Sequence, residues 1–115
     1  EAARYLGTPY VWGGYSPSGF DCSGFVSYCL TNSGVRNTGR LTAQGLYDIC
    51  TPVSESYVQP GDLIFFTGTY DAGVPVTHIG IYVGGGQMIH CGHPVQYTSI
   101  YSSYWQSHFY GFGRW

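Results

Sequence analysis

With 115 residues, the chain is long enough for one compact domain with one hydrophobic core. The chain has four arginines, no lysine and six acidic residues, so its formal net charge is −2. The lack of a basic patch argues against a nucleic-acid partner. Only 9% of the residues are charged, but 18% are aromatic, which argues against disorder. The sequence contains no run of about 18 apolar residues of the kind that indicates a membrane span.

The predicted elements place helices before strands. Residues 1–6 are predicted as the end of a helix, a second helix begins at Cys22, and residues 42–49 have weak helical periodicity. Strands are predicted at residues 62–67, 76–83, 87–91, 95–100 and 110–115. Helices followed by an antiparallel meander predict an α+β fold for a single domain over residues 1–115. Because the sequence starts inside a helix end, we expect it to be a piece of a longer chain.

The helix that begins at Cys22 carries the candidate nucleophile. Its apolar positions follow helical spacing: Cys22, Phe25, Val26, Cys29 and Leu30. Asp21 precedes the helix as a predicted N-cap, which puts Cys22 in the first turn. A helix N-terminus lowers the pKa of a cysteine, and the thiolate is the reactive form. The position therefore predicts that Cys22 is a catalytic nucleophile, whereas Cys29, in the middle of the helix, is predicted to be a core residue.

Two histidines flank the glycine turn at residues 84–86. Side chains alternate between the faces of a strand, so the relation of His78 to His90 depends on the length of this turn. With a three-residue turn, Val83 opposes Gln87, and His78 and His90 become diagonal neighbours on one face. A two-residue turn would send His90 to the other face, so the prediction requires an odd number of residues. His93 and His108 lie in loop-like stretches and are predicted to be structural.

These residue types fit covalent catalysis on an amide bond. Cys22 would attack the carbonyl, and His78 would take the thiol proton or stand as an imidazolium beside a thiolate. His90 would hold His78 in the correct tautomer, as the third member of a triad does. The backbone N–H of Cys22 is placed to form half of an oxyanion hole.

The spacing of the cysteines and histidines along the chain gives little support to disulfides or to a metal site. Cys22 and Cys29 are about 10 Å apart along one helix, too far for a disulfide, while a Cys50–Cys91 disulfide is left open. The chain has four cysteines and four histidines, but no Cys-x-x-Cys or His-Glu-x-x-His spacing of a metal site. We therefore expect neither metal nor cofactor.

Five blocks of the sequence, in this order, resemble one known family: Pro9-Tyr10-Val11-Trp12-Gly13-Gly14, Phe20-Asp21-Cys22-Ser23-Gly24-Phe25-Val26, Pro60-Gly61-Asp62-Leu63, His78-Ile79-Gly80-Ile81-Tyr82 and Met88-Ile89-His90. The family is that of the NlpC/P60 peptidoglycan peptidases. The resemblance implies a papain-like fold, in which N-terminal helices pack on an antiparallel half-barrel sheet. It also implies a catalytic triad of Cys22, His78 and His90.

The resemblance further implies a substrate and a location. Such enzymes cleave bacterial stem peptides between γ-D-glutamate and the diamino acid, outside the cell or in its wall. Tyr10 is implied at the oxyanion or the substrate, and Trp12, Asp21 and Ser23 at the amino-terminal side of the substrate. Arg40 matches the family pattern only loosely, so no role is assigned to it. The chain also resembles the peptidase half of two-domain wall hydrolases whose other half is a glycosidase.

Three alternatives stay open at this point. The same fold could carry an N-acetylmuramoyl-L-alanine amidase or a lipid-directed acyltransferase. The cysteines and histidines could hold a metal ion. The chain could also be a wall-binding module without catalytic activity.

Overall fold

The computed structural model describes residues 2–34, 38–69, 73–92 and 94–115. Three α-helices lie in these ranges: α1 (Cys22–Asn32), α2 (Ala43–Ile49) and α3 (Ser103–His108). The strands are β1 (Tyr15–Ser16), β2 (Gly19–Phe20), β3 (Thr51–Val53), β4 (Leu63–Thr67), β5 (Val76–Gly84), β6 (Gln87–Cys91), β7 (Val95–Ser99) and β8 (Phe109–Arg114). Short 3-10 turns occupy Ala2–Tyr5 and Glu55–Tyr57.

Six of the strands form one antiparallel sheet in the order β3-β8-β4-β5-β6-β7. Strands β4 to β7 form the predicted meander, and the α+β class is confirmed. The last strand departs from a simple meander, because β8 returns to pair with β4 on one side and β3 on the other. Strand β3 was not predicted, since it has only three residues and contains Pro52, which suits a sheet edge.

The sheet buries both of its faces. On one face, α1 and α2 pack against alternate strand residues, including Leu63, Phe65, Ile79 and Ile89. The opposite face carries a second core, whose buried members are Ile64, Phe66, Met88, Ile100 and Phe112. Trp105 from α3 packs against this second core. The predicted core side of β5 and β6 is confirmed, because Ile79, Ile81, Val83 and Ile89 all belong to the helix-side core.

Within the described ranges, none of the helices combines the length and the apolar character that crossing a membrane requires.

Candidate active site

Cys22 is the first residue of α1, as the sequence predicts. Asp21 is the N-cap, with extended backbone (φ −94°), and its Oδ1 accepts a 2.7 Å hydrogen bond from the Gly24 N–H. Its Oδ2 accepts from the Gly13 N–H at 3.1 Å, so the same carboxylate fixes the preceding loop. That loop lies so close that a Cβ on Gly24 would come within 1.9 Å of the Gly14 carbonyl oxygen. The start of the helix is therefore rigid, and so is the position of Cys22.

The Cys22 sulfur lies against the part of β5 that carries His78. Sγ is 3.8 Å from the Thr77 carbonyl oxygen, and the backbone N–H of Ile79 also points towards it. These two groups belong to the residues directly before and after His78. The side chain of Cys22 is 7% exposed, so this meeting of α1 with β5 is almost fully closed to water.

The pKa of the Cys22 thiol is raised to about 11, mainly because burial penalises the thiolate. The negative charge of Asp21 raises it further. The backbone N–H groups of Ser23 and Ile79 and the charge of Arg40 oppose these effects but do not outweigh them. The expectation of a pKa lowered by the helix N-terminus is thus wrong, and the thiol is neutral near pH 7.

His78 and His90 face each other on the sheet, as predicted. His78 Nε2 and His90 Nδ1 are 2.9 Å apart, and the two rings are nearly perpendicular, at 85°. The other nitrogen of His90, Nε2, lies 2.9 Å from Thr98 Oγ1 on β7. The three side chains therefore form a continuous hydrogen-bonded line across β5, β6 and β7. Sequence reasoning missed Thr98, because its role depends on the register of a third strand.

Both histidines of this line are neutral at physiological pH. Burial lowers the pKa of His78 to about 3, and the repulsion that two charged rings would feel beside His90 lowers it further. Burial also lowers the pKa of His90, to about 4, in keeping with its 3% exposure. The resting site therefore holds a neutral thiol and neutral imidazoles, not a thiolate–imidazolium pair.

The turn between the histidines differs from the prediction, although the outcome is the predicted one. Gly84 pairs with Gln87, so the turn has two residues, Gly85 and Gly86. The register then shifts at a bulge between Tyr82 and Gly84, and Tyr82 pairs with Met88. One extra residue in a bulge changes the side-chain alternation as an odd turn would. The requirement for an odd turn was wrong, because the bulge restores the shared face.

Gly80 sits between the two histidines and has a packing role. A Cβ at this position would lie 2.9 Å from Met88 Sδ and 3.2 Å from His90 Cβ. The space that the glycine leaves is therefore filled by its neighbours and offers no room for an approaching group.

A cleft of about 580 Å³ opens beside the sulfur. Cys22 lines it together with the four residues predicted on the substrate side, Tyr10, Trp12, Asp21 and Ser23. Trp12 is the most open of them, with 72% exposure, and stands as a wall at the rim. The two histidines do not line this cleft, since their rings contact Trp105 on the other side of the sheet.

Arg40 also lines the cleft, although no role was assigned to it from the sequence. Its Nη2 donates to Asp21 Oδ2 at 2.7 Å, and its Nη1 donates to Ser23 Oγ at 3.0 Å. The Arg40 side chain keeps 32% exposure in this arrangement, so it can still meet a ligand. The signal available in the sequence was its rarity, because the chain has only four basic residues.

The other three cysteines and His108 are not among the residues that line the cleft. None of the four cysteines, all of which lie in the described ranges, forms a disulfide, so no Cys50–Cys91 disulfide is present. Cys91 instead donates from Sγ to the Phe20 carbonyl oxygen at 3.1 Å. His108 is bonded to the Thr67 carbonyl oxygen, in keeping with a structural role, and His93 lies outside the described residues. In the described part of the chain, no cluster of three or more potential ligands could hold a metal ion.

Comparison with known sequences shows which family the chain is similar to. The profile of the NlpC/P60 family matches residues 7–114. The chain is 48% identical over 115 residues to a probable endopeptidase p60 of Listeria seeligeri, covering 99% of this chain and 21% of that protein. It is 44% identical over 116 residues to the bifunctional muramidase/DL-endopeptidase CwlT of Bacillus subtilis, covering 99% of this chain and 34% of that protein. The chain thus spans about a fifth to a third of the length of these relatives.

Solved structures agree with the sequence comparison. An NLP/P60 family protein of Staphylococcus aureus, described as similar to lipoprotein, superimposes with a TM-score of 0.93 at 44% identity, over 98% of this chain and 38% of that one. The NlpC/p60 domain of the peptidoglycan hydrolase SagA gives a TM-score of 0.75 at 37% identity, over 97% and 90% of the two chains. Because the family match takes in nearly the whole sequence, the chain belongs to the NlpC/P60 family.

Proposed function

We propose that the chain is a cysteine peptidase that cleaves peptidoglycan stem peptides between γ-D-glutamate and the diamino acid. The observation that carries the proposal is the closeness of Cys22 Sγ to the backbone on either side of His78, whose ring is bonded to His90. The names of the relatives, endopeptidase p60 and DL-endopeptidase, support the same reaction.

The hydrogen-bonded line supplies the base in this proposal. His90 occupies Nε2 of His78, so Nδ1 is the nitrogen that can receive a proton. Donation from His78 Nε2 to His90 Nδ1, and from His90 Nε2 to Thr98 Oγ1, leaves a lone pair on His78 Nδ1. When both hydrogen bonds are donated in this direction, from His78 to His90 and from His90 to Thr98, Nδ1 of His78 is free to accept the thiol proton.

Because thiol and imidazole are both neutral at rest, the proton moves as the bond forms. Sγ bonds to the carbonyl carbon, the thiol proton passes to His78 Nδ1, and the carbonyl electron pair moves onto oxygen. The first N–H of α1, that of Cys22, is one donor for this oxyanion, and Tyr10 is the second candidate. The C–N bond then breaks, His78 protonates the leaving amine, and Cys22 carries a thioester. Water then gives a proton to His78 as its oxygen bonds to the thioester carbon. The C–S bond breaks, and His78 returns the proton to Sγ, which restores the thiol.

The cleft supplies recognition. A γ-linked glutamate keeps a free α-carboxylate, and the Arg40 guanidinium is the cation beside the nucleophile that can pair with it. Asp21 and Ser23, which already bond Arg40, face the amino-terminal part of the substrate, and Trp12 covers its backbone. No step in this scheme requires a metal or a cofactor.

The place of action follows from the same substrate. Peptidoglycan lies outside the cytoplasmic membrane, so we propose an extracellular or cell-wall location. CwlT carries both a muramidase and a DL-endopeptidase in its name, which supports our proposal that a glycosidase accompanies this unit in the whole protein.

Digestion of defined muropeptides, followed by mass spectrometry of the products, tests the function. We expect fragments that end in γ-D-glutamate together with fragments that begin with the diamino acid, and no product from Cys22→Ala. Intact free stems would show an amidase instead, and wall binding without any product would show a binding module.

Cys29→Ala is the matched control for this experiment. It removes the same thiol from the same helix, at a buried position (4% exposed) in the middle of α1. We expect Cys29→Ala to lose some stability through lost packing but to keep cleaving. Equal loss of activity in the two variants would contradict the assignment of Cys22.

A further inference from the structure

The indole of Trp105 lies directly on the histidine pair. Its ring is stacked on His78, with centroids 5.1 Å apart and planes inclined by 25°. It meets His90 edge-on, with centroids 5.2 Å apart. Its further ring neighbours are Phe66 of the second core, at 4.7 Å, and Tyr104 of the same helix, at 4.9 Å. One aromatic side chain thus touches both rings of the pair and ties them to the packed interior.

Trp105 is held by a helix that is itself fastened to the sheet. In α3, Gln106 Nε2 donates to the Ile100 carbonyl oxygen at 2.6 Å. The His108 ring nitrogen Nδ1 lies 2.8 Å from the Thr67 carbonyl oxygen, at the end of β4. A helix of six residues gains little stability from its own backbone, so these two bonds and the packing of Trp105 fix its place.

We propose that Trp105 is a positioning residue of the active site, which holds His78 in the orientation that presents Nδ1 to Cys22 and keeps water from the histidine pair. This role rests on the proposed function, since it acts through the base His78. Trp105 itself touches neither Cys22 nor the cleft in the described contacts. Nothing in the sequence pointed to it, because α3 is too short to show periodicity.

The indole affects the pKa of His78 in two opposite ways, and the larger effect decides the direction of the net shift. The face of an indole attracts a cation by about 0.5–1 kcal/mol, which would raise the pKa of His78 by less than about one unit. Exclusion of water acts the other way and is the larger cause, because burial leads the shift of His78 to a pKa of about 3. Removing the indole should therefore raise the pKa of His78 towards the ordinary value of about 6.5.

The test compares Trp105→Ala with Trp105→Phe, which keeps an aromatic face on His78. In Trp105→Ala, we expect kcat at pH 7.5 to fall by about tenfold or more, with KM little changed, because alignment of the base is lost. With a pKa near 6.5, activity should fall about another tenfold between pH 7.5 and pH 5.5. Trp105→Phe should keep a profile that matches wild type over the same range. An unchanged kcat and an unchanged profile in Trp105→Ala would overturn the proposal.

Tyr104→Ala is the control for a loosened helix. Tyr104 is in α3, its ring contacts are with Trp105 and His108, and none is with the histidine pair. It should therefore keep the pH profile of wild type, and a loss equal to that of Trp105→Ala would overturn the role given to Trp105. If Trp105→Ala does not fold, Trp105→Val also opens most of the indole volume to water, keeps a small apolar side chain at the site and serves in its place.

A measurement without substrate separates this proposal from the proposed function. NMR titration of the His78 ring should show a pKa below about 5 in wild type and Trp105→Phe, and a clearly higher value in Trp105→Ala. A value below 5 in all three proteins would overturn the role of Trp105. If wild type cleaves no muropeptide, the proposed function fails, and the titration still decides whether Trp105 shields His78.

Discussion

The neutral histidine pair should make the stability of the fold depend on pH in a window set by two side chains. Burial lowers the pKa of His78 to about 3 and that of His90 to about 4, whereas the unfolded chain titrates near 6.5. The unfolded state therefore binds more protons below pH 6.5, and stability that is present above that pH is lost as the pH falls towards 4. From pH 7.5 to pH 5.5, each histidine should remove roughly 1–2 kcal/mol from the free energy of unfolding.

The expected total, about 3 kcal/mol, is a large part of the roughly 5–15 kcal/mol that stabilises a domain of this kind. Arg114 holds the pKa of the Asp62 carboxyl below its ordinary value, so that ion pair is lost only at more acidic pH and does not contribute here. Urea unfolding followed by tryptophan fluorescence at pH 7.5, 6.5 and 5.5 measures the change.

The variant His90→Gln separates the two contributions. Glutamine can still accept the hydrogen bond from His78 but does not titrate, so the loss between pH 7.5 and pH 5.5 should fall to about half. A wild-type stability that is flat over this range, or an identical loss in wild type and variant, would refute the assignment of both histidines as neutral in the folded state.

Three further substitutions test the surroundings of the pair and the cleft. Thr98→Val keeps the side-chain shape but leaves His90 Nε2 without its bond, so we expect a loss of about 1–3 kcal/mol in urea unfolding and a lower kcat. Gly80→Ala places a methyl group 3.2 Å from His90 Cβ and 2.9 Å from Met88 Sδ. We expect kcat to fall clearly while the free energy of unfolding changes little. A kcat equal to that of wild type would mean that the neighbouring side chains move freely to make room. Arg40→Gln should raise KM about tenfold for a substrate with a free α-carboxylate and leave KM unchanged for the α-amide, and an equal effect on both would contradict the proposed pairing.

The features that could be predicted from sequence are those set by local geometry. Asp21 precedes an apolar run at helical spacing, and a cap of that kind fixes where the helix begins. His78 and His90 follow from alternation along two strands joined by a glycine turn. Each of these predictions depends only on residues close in the chain.

The features that were missed depend on residues brought together by the sheet. Thr98 reaches His90 only because β7 pairs with β6 in one register. Trp105 reaches His78 from a six-residue helix that packs on the face opposite α1. The bulge near Gly84 needs the whole ladder to be defined, since the three glycines of the turn allow several conformations. Arg40 enters the cleft from the connection between two helices, where the sequence offers no periodicity.

The error on the Cys22 thiol shows which physical effect is hidden from a sequence. A helix N-terminus stabilises a nearby negative charge by about 0.3–1 kcal/mol, and up to about 2 kcal/mol when partly buried. The pKa of about 11 for Cys22, against an ordinary value of 9.0, corresponds to about 3 kcal/mol in the opposite direction, and burial is its main cause. The start of the helix can be predicted from the sequence, whereas the burial of the sulfur against β5 cannot. Since this penalty falls on the isolated thiolate, a mechanism in which His78 takes the proton only as the carbon–sulfur bond forms avoids that species altogether.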